Sequence, residues 1–242
     1  MTATKTDSVD ARAIAEAARL LTLAGSPVLE RARVTGEDAH DLEMWLAEYD
    51  RLRRAITRLQ RQRDVVLRYP AEAKKEILKG IDAELKQLKK HQNKAKEKVE
   101  ELGAGGDFDL VVSVKGIGAL TAAALVCKIK NIDRFESADQ LKAYFGEYPC
   151  IRKSGKRKGQ VRVAQHGNAM VRHLLWNCAK PAARHNPACR ALYERLLAAG
   201  KPPAYAWAAV ARKLLQIVYG VLKSRSPWDP SIGVPAASAA SS

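Results

Sequence analysis

The sequence is short of aromatic side chains, 6% of 242 residues, and has only four cysteines. Aromatic and β-branched residues favour strands, whereas Ala, Leu, Lys, Arg and Glu, which dominate here, favour helices. The expectation is a mainly α fold. Cys127, Cys150, Cys178 and Cys189 include no pair at CxxC spacing, so a zinc site is unsupported, and a disulfide framework does not suit a soluble chain of this size. Buried or idle thiols are expected instead. No apolar run approaches the roughly 18 residues needed to cross a bilayer, and no basic-then-apolar leader opens the chain. No membrane partner and a cytoplasmic location are expected. Hydrophobic residues still make up 47% of the sequence, enough for a packed core rather than general disorder.

Acidic charge is nearly absent where basic charge is densest. The net charge is +16, and residues 151–225 hold 16 Lys and Arg against one acid, Glu194. Nearly all the excess sits in that segment. A concentrated cationic surface attracts polyanions, most commonly nucleic acid, although solubility alone is the alternative.

Residues 3–23 read as a helix, with Thr6 or Asp7 as cap, broken by Gly25-Ser26-Pro27. A heptad seam follows: Leu42, Trp45, Tyr49, Leu52, Ile56, Leu59 and Val66, with Arg63 in one slot. After Tyr69-Pro70 a second seam runs through Leu78, Ile81, Leu85, Leu88, Ala95, Val99 and Leu102, with Gln92 in its gap. Two such helices joined by a proline turn predict an antiparallel coiled-coil hairpin over 27–106, suited to self-association or spacing. Gly103-Ala104-Gly105-Gly106 marks a boundary, and a compact helical domain is expected over 107–226. Residues 227–242, rich in Pro, Ala and Ser, read as a disordered tail.

Within the compact domain, an apolar helix from Asp109 meets a Lys115-Gly116-Ile117-Gly118 turn, and an Ala-rich helix follows. This resembles the helix-hairpin-helix module, which grips a nucleic-acid backbone. Glycines there let backbone N–H groups approach a phosphate, and the next helix offers its positive dipole end. Lys115, Gly116 and Gly118 are candidate contacts. An ordinary interhelical turn needing glycine is the alternative.

Ser137 and Gln140 form a capping box for a helix ending at Gly146. Two short extended runs, 150–152 and 160–163, then flank a Ser-Gly-Lys-Arg-Lys-Gly loop and suggest a β-hairpin. Arg152, Lys153, Lys156, Arg157, Lys158 and Arg162 crowd it without an acid. Ser154 is the sole Ser or Thr between positions 138 and 223. Cations around a hydroxyl draw in a phosphodiester and stabilise its transition state, while a turn serine needs no such role. Further helices follow Asn168, Asn186-Pro187 and Pro202-Pro203, the last with Val210, Leu214, Ile217 and Val221 as its stripe. His166, His173 and His185 lack a metal-ligand spacing on one helix face.

The ordered motifs Gly116-Ile117-Gly118, Phe135, Leu141, Tyr144, Gly146, Ser154-Gly155, Gly167-Asn168, Arg172, His185-Asn186-Pro187 and Ala211-Arg212-Lys213-Leu214 resemble the carboxy domain of the DEDD-type insertion-sequence transposases, relatives of the Piv-type DNA invertases. The resemblance covers about 107–230. It implies DNA transposition or recombination, with Ser154 as nucleophile and a transient phosphoserine link. Arg172 joins the implied nucleic-acid contacts. Some family members are guided by a structured RNA, so DNA and a guide RNA are the implied partners, with self-association through the coiled coil.

Lys5-Thr6-Asp7-Ser8-Val9-Asp10-Ala11 resembles the family motif that closes an acidic, resolvase-like metal site. Asp7 and Asp10 are the matching carboxylates, and 1–26 reads as a remnant of that domain. Mg²⁺ demands several hard oxygen ligands, so these two carboxylates alone are not expected to hold it. The chain reads as an amino-terminally truncated copy. A catalytically incomplete DNA- or RNA-binding remnant and a coiled-coil assembly protein are the other readings.

Overall fold

A computed structural model describes residues 37–70, 74–147, 149–152, 160–163 and 167–231, with 149–152 and 160–163 described as backbone. The chain divides into compact units 1–40 and 41–242. Of the first, only 37–40, the opening residues of a helix, is described. The expected helix over 3–23 lies outside the described residues.

Helices α1 (Glu37–Leu67) and α2 (Lys74–Gly103) follow the two seams. Ile56 and Leu59 of α1 meet Ile81 and Leu85 of α2, with Val66 and Leu88 at the margin. Arg63, the polar interruption in the first seam, instead donates to Asp82 across the pair at 2.7 Å. These contacts run in opposite directions along the two helices, so they form an antiparallel hairpin. The Arg63–Asp82 pair is exposed and contributes little; apolar burial holds the seam.

Near the hairpin's base the packing changes. Leu46, not Trp45, is the buried residue there, at 1% exposure. A helix turns every 3.6 residues, so a strict heptad count drifts off the buried stripe. Leu42, Leu46 and Val99 join one core with Phe108, Leu125, Leu141, Leu175 and Leu214. The compact unit therefore runs unbroken across Gly103–Gly106, a break between helices rather than in the core.

Short α3 (Asp107–Val112) leads to α4 (Ala119–Ile129), which is buried through Leu120, Thr121, Ala122, Ala123, Ala124, Leu125 and Ile129. Its alanines admit close neighbours. A Cβ on Gly103 would fall 2.6 Å from Ala123 Cβ, so α2 approaches α4 at a separation that needs glycine. Glu43 also ties α1 to α4, accepting from Lys128 at 3.2 Å.

A 3₁₀ turn (Ile132–Arg134) precedes α5 (Ala138–Phe145). Ser137 Oγ accepts from Gln140 N–H, as the capping box predicts, while Gln140 Oε1 accepts from Glu136 N–H rather than from Ser137. Strands β1 (Pro149–Arg152) and β2 (Gln160–Val163) pair antiparallel, with Pro149 opposite Val163 and Arg152 opposite Gln160. Helices α6 (Ala169–His185), α7 (Pro187–Ala198) and α8 (Pro203–Ser224) complete the unit. Asn168 caps α6 and Asn186 caps α7 through side-chain oxygens. In α8 the buried stripe is Val210, Leu214, Val218 and Val221; Ile217 is only partly buried against it.

The expected tail is anchored at its start. Trp228 packs against the core, and its backbone N–H donates to Ser113 Oγ at 2.8 Å. No helix among the described residues is long and apolar enough to cross a membrane.

Candidate nucleic-acid interface

The Lys115–Gly118 turn is built from both sides. Val111, Val114 and Ile117 bury their side chains beneath it, and Ile117 N–H donates to the Val114 carbonyl at 3.0 Å. Its two glycines have different work. Gly116 sits at φ 104°, and a Cβ there would meet Ala182 Cα at 2.6 Å. Its missing side chain makes room for the α6 backbone rather than for a phosphate. Buried Asn186 fastens the turn, donating from Nδ2 to the Lys115 carbonyl at 3.4 Å while capping α7 with its other side-chain atom.

Gly118 faces outward. It is the N-cap of α4 in extended geometry (φ −89°, ψ 162°), and among the described residues no side chain caps the helix and nothing lies within 4 Å of an added Cβ. Lys115 is exposed beside it. The first N–H groups of a helix lack intrahelical acceptors and carry its positive dipole end, so this opening suits an anion.

A second junction pins the base of the paired strands. Gly146 takes the left-handed conformation that ends α5. Gly167, at φ 88°, approaches so closely that a Cβ would lie 2.5 Å from the Phe145 carbonyl carbon. Arg172 Nη1 donates to the Phe145 carbonyl oxygen at 3.2 Å. Among its contacts, then, this predicted nucleic-acid residue braces the fold. The strand ladder brings the ends of the 153–159 loop together at Arg152 and Gln160. Ser154, Lys153, Lys156, Arg157 and Lys158 lie outside the described residues, as do Asp7 and Asp10 and the side chains of Arg152 and Arg162.

Glu147, the residue after this junction, is 5% exposed. Burial pushes its carboxyl pKa up to about 7, although Arg212 and Arg172 pull it down. Arg212 also lines a cavity of about 400 Å³ with Lys142, Arg195, Lys213 and Gln216, and among the described residues no acid lines it. Lys142 pairs with Asp139 at 2.5 Å. Four cations from α5, α7 and α8 thus converge on one cavity, and one of them, Arg212, also acts on Glu147. Arg212 and Lys213 belong to the Ala211-Arg212-Lys213-Leu214 motif, whereas no local sequence pattern marks Lys142 or Arg195. Only packing brings positions 142 and 212 together.

The thiols behave as expected where described. Cys178 donates to Thr121 Oγ1 at 3.4 Å, and burial drives the Cys189 pKa up to about 12. Burial lowers the pKa of His173, whose Nε2 lies 3.2 Å from Asn177 Nδ2. Among the described residues no group of three or more His, Cys, Asp or Glu is placed to hold a metal ion.

The sequence that builds the glycine turn, the strand pair and α6 is similar to that of mobile-element proteins. Residues 109–194 match the family described as Transposase IS116/IS110/IS902, a stretch that includes the turn, both strands and α6. The chain is a relative of these insertion-sequence transposases. It is 33% identical over 82 residues to the transposase for insertion sequence element IS1111A of Coxiella burnetii, covering 34% of this chain and 22% of that protein. Over 120 residues it is 26% identical to the insertion element IS110 uncharacterized 43.6 kDa protein of Streptomyces coelicolor, covering 50% and 30%. Over 125 residues it is 30% identical to the pilin gene-inverting protein of Moraxella bovis, covering 51% and 39%. The chain thus spans well under half the length of each relative. The family match stops at Glu194, so Arg195, Arg212 and Lys213 lie beyond it.

Proposed function

We propose that this chain acts in DNA transposition or site-specific recombination, holding a sugar–phosphate backbone on its cationic face and attacking a phosphodiester with Ser154. The supporting observation is the cavity lined by Lys142, Arg195, Arg212 and Lys213, of which Arg212 also acts on Glu147, two residues before β1. The open N-terminus of α4 supplies a second backbone contact through Lys115 and Gly118. In the attack, a bond forms from Ser154 Oγ to phosphorus while a phosphorus–oxygen bond to the leaving deoxyribose breaks. The serine proton leaves to solvent or a base, and the departing oxygen gains one. A second strand's hydroxyl then displaces the serine and reseals the backbone.

Loop cations would stabilise the charge that builds on the phosphoryl oxygens. Asp7 and Asp10 supply too few oxygens for Mg²⁺, so this chain alone is not assigned the ion. A guide RNA remains part of the proposal, because cationic side chains also bind an RNA backbone. Self-association through the α1–α2 hairpin is proposed from its apolar tip, where Val65, Leu67, Tyr69 and Ile77 are exposed.

The test has two arms. If four cations each neutralise a phosphate, affinity for a 30-base-pair duplex falls on the order of 100-fold between 50 and 200 mM salt. Incubation with DNA, followed by nuclease digestion and mass spectrometry, should yield a nucleotide adduct on the peptide bearing Ser154 and none in Ser154→Ala. Salt-indifferent binding would refute the backbone contact. An adduct that persists in Ser154→Ala would refute the nucleophile, and salt-dependent binding with no adduct would leave a binding protein rather than an enzyme.

A further inference from the structure

Across α7 from the cationic cavity lies a surface of different chemistry. Trp176 of α6, Tyr193 of α7 and Trp207 of α8 come together there. Trp207 meets Trp176 edge-on, with centroids 6.0 Å apart, and lies within 6° of parallel to Tyr193 at 6.4 Å. Large aromatic side chains are normally drawn into the core, yet Trp176 is 39% exposed and neither Tyr193 nor Trp207 is fully buried. In a chain with four tryptophans, two share this one patch. Lys180 Nζ sits 4.6 Å from the centroid of Trp207. A cavity of about 560 Å³ opens beside the rings, and Lys180, Arg184, Arg190 and Glu194 line it with Tyr193 and Trp207. Arg190 also donates to the Arg184 carbonyl at the end of α6.

We propose that this patch binds an unpaired nucleobase and its flanking phosphates. Aromatic faces stack on bases of any sequence, but only when the base is free of its own stack; cations beside them track the backbone. Both elements are present here, with three cations against one acid among the described residues. A duplex presents its phosphates and hides its base faces, so the patch discriminates strand from duplex. Among the described residues, the cavity lined by Arg212 carries cations without aromatic rings and makes no such distinction. Helix geometry separates the two: Ala188, Ala191, Leu192 and Arg195 face one cavity, and Arg190, Tyr193 and Glu194, on the opposite face of α7, line the other. The proposal rests on the nucleic-acid reading above and adds the kind of strand bound. Single-stranded DNA and RNA share the required chemistry.

The experiment uses the full chain and three labelled probes: a 12-nucleotide DNA strand, an RNA strand of equivalent sequence, and the 12-base-pair DNA duplex. Either strand should quench tryptophan fluorescence on binding, and the tighter of the two identifies the source. Trp176→Ala, at an exposed ring, should weaken strand binding about 10-fold and change duplex affinity less than twofold. Trp207→Phe keeps an aromatic ring against the core and should show a smaller loss in the same direction. Circular dichroism confirms that both variants fold. Strand binding without quenching, or equal losses for strand and duplex in Trp176→Ala, would overturn the proposal. Wild-type binding to duplex but to neither strand would defeat it alone. Binding to none of the three probes would defeat the nucleic-acid reading with it.

Discussion

Replacing Gly118 with aspartate separates stability from nucleic-acid affinity at the turn. The backbone there, φ −89° and ψ 162°, is the extended geometry that an aspartate N-cap adopts, and no atom of the described residues lies within 4 Å of the new Cβ. α4 has no side-chain cap, so the carboxylate gains helix N–H donors. Replacing glycine restricts the unfolded chain, and a negative charge at the dipole's positive end adds a little more. Together these contribute about 1 kcal/mol, which raises the melting temperature by about 2–4 °C for a unit of this size. Binding moves the other way. A carboxylate about 5 Å from a phosphate costs on the order of 1–2 kcal/mol in a solvated, salt-screened site, or roughly 5- to 30-fold in Kd. Thermal unfolding by circular dichroism and fluorescence anisotropy with a labelled duplex read the two effects. Gly118→Ala, which adds a methyl group without charge, should lose less affinity than Gly118→Asp. A stabilised Gly118→Asp with unchanged affinity would show that the turn only joins two helices. A destabilised one would refute the cap geometry.

Gly116→Ala is expected to do the reverse. It forces a Cβ to 2.6 Å from Ala182 Cα at a φ of 104°, costing about 2–5 kcal/mol through strain and overlap. The melting temperature should fall on the order of 5–15 °C, and a shift under about 2 °C would contradict the packing. Glu147 makes stability depend on pH. Its folded pKa of about 7 lies above the ordinary carboxyl value of 4.5, so the native state holds the proton more tightly than the unfolded chain. That contribution is complete below about pH 4.5 and is lost as the pH rises through about 7. Glu147→Gln should match the wild type near pH 4 and exceed it by up to about 3 kcal/mol at pH 8; a pH-independent difference between the two melting curves would refute the assignment.

The local features were legible in the sequence because they arise from interactions a few residues apart. The two heptad seams, the caps at Ser137, Asn168 and Asn186, and the helix stop at Gly146 each follow from a local pattern of apolar spacing or side-chain oxygens. The concentration of charge after position 150 is likewise a property of the chain order. Counting in sevens nevertheless placed Trp45 where Leu46 is buried, because a small drift in angle accumulates along a long helix.

Which side of the turn faces solvent was not written in the sequence. Gly116 and Gly118 look equivalent there, and only the approach of α6, more than sixty residues on, gives one to the core and leaves the other open. The same holds for Arg172 against Phe145, for the four cations that surround one cavity, and for the rings gathered around Trp207. Hydrophobic periodicity determines that a helix will bury one face, but the choice of partner for that face depends on how all the helices pack at once. Contacts between distant positions are therefore decided by the tertiary structure, and in this protein the candidate interface is made of them.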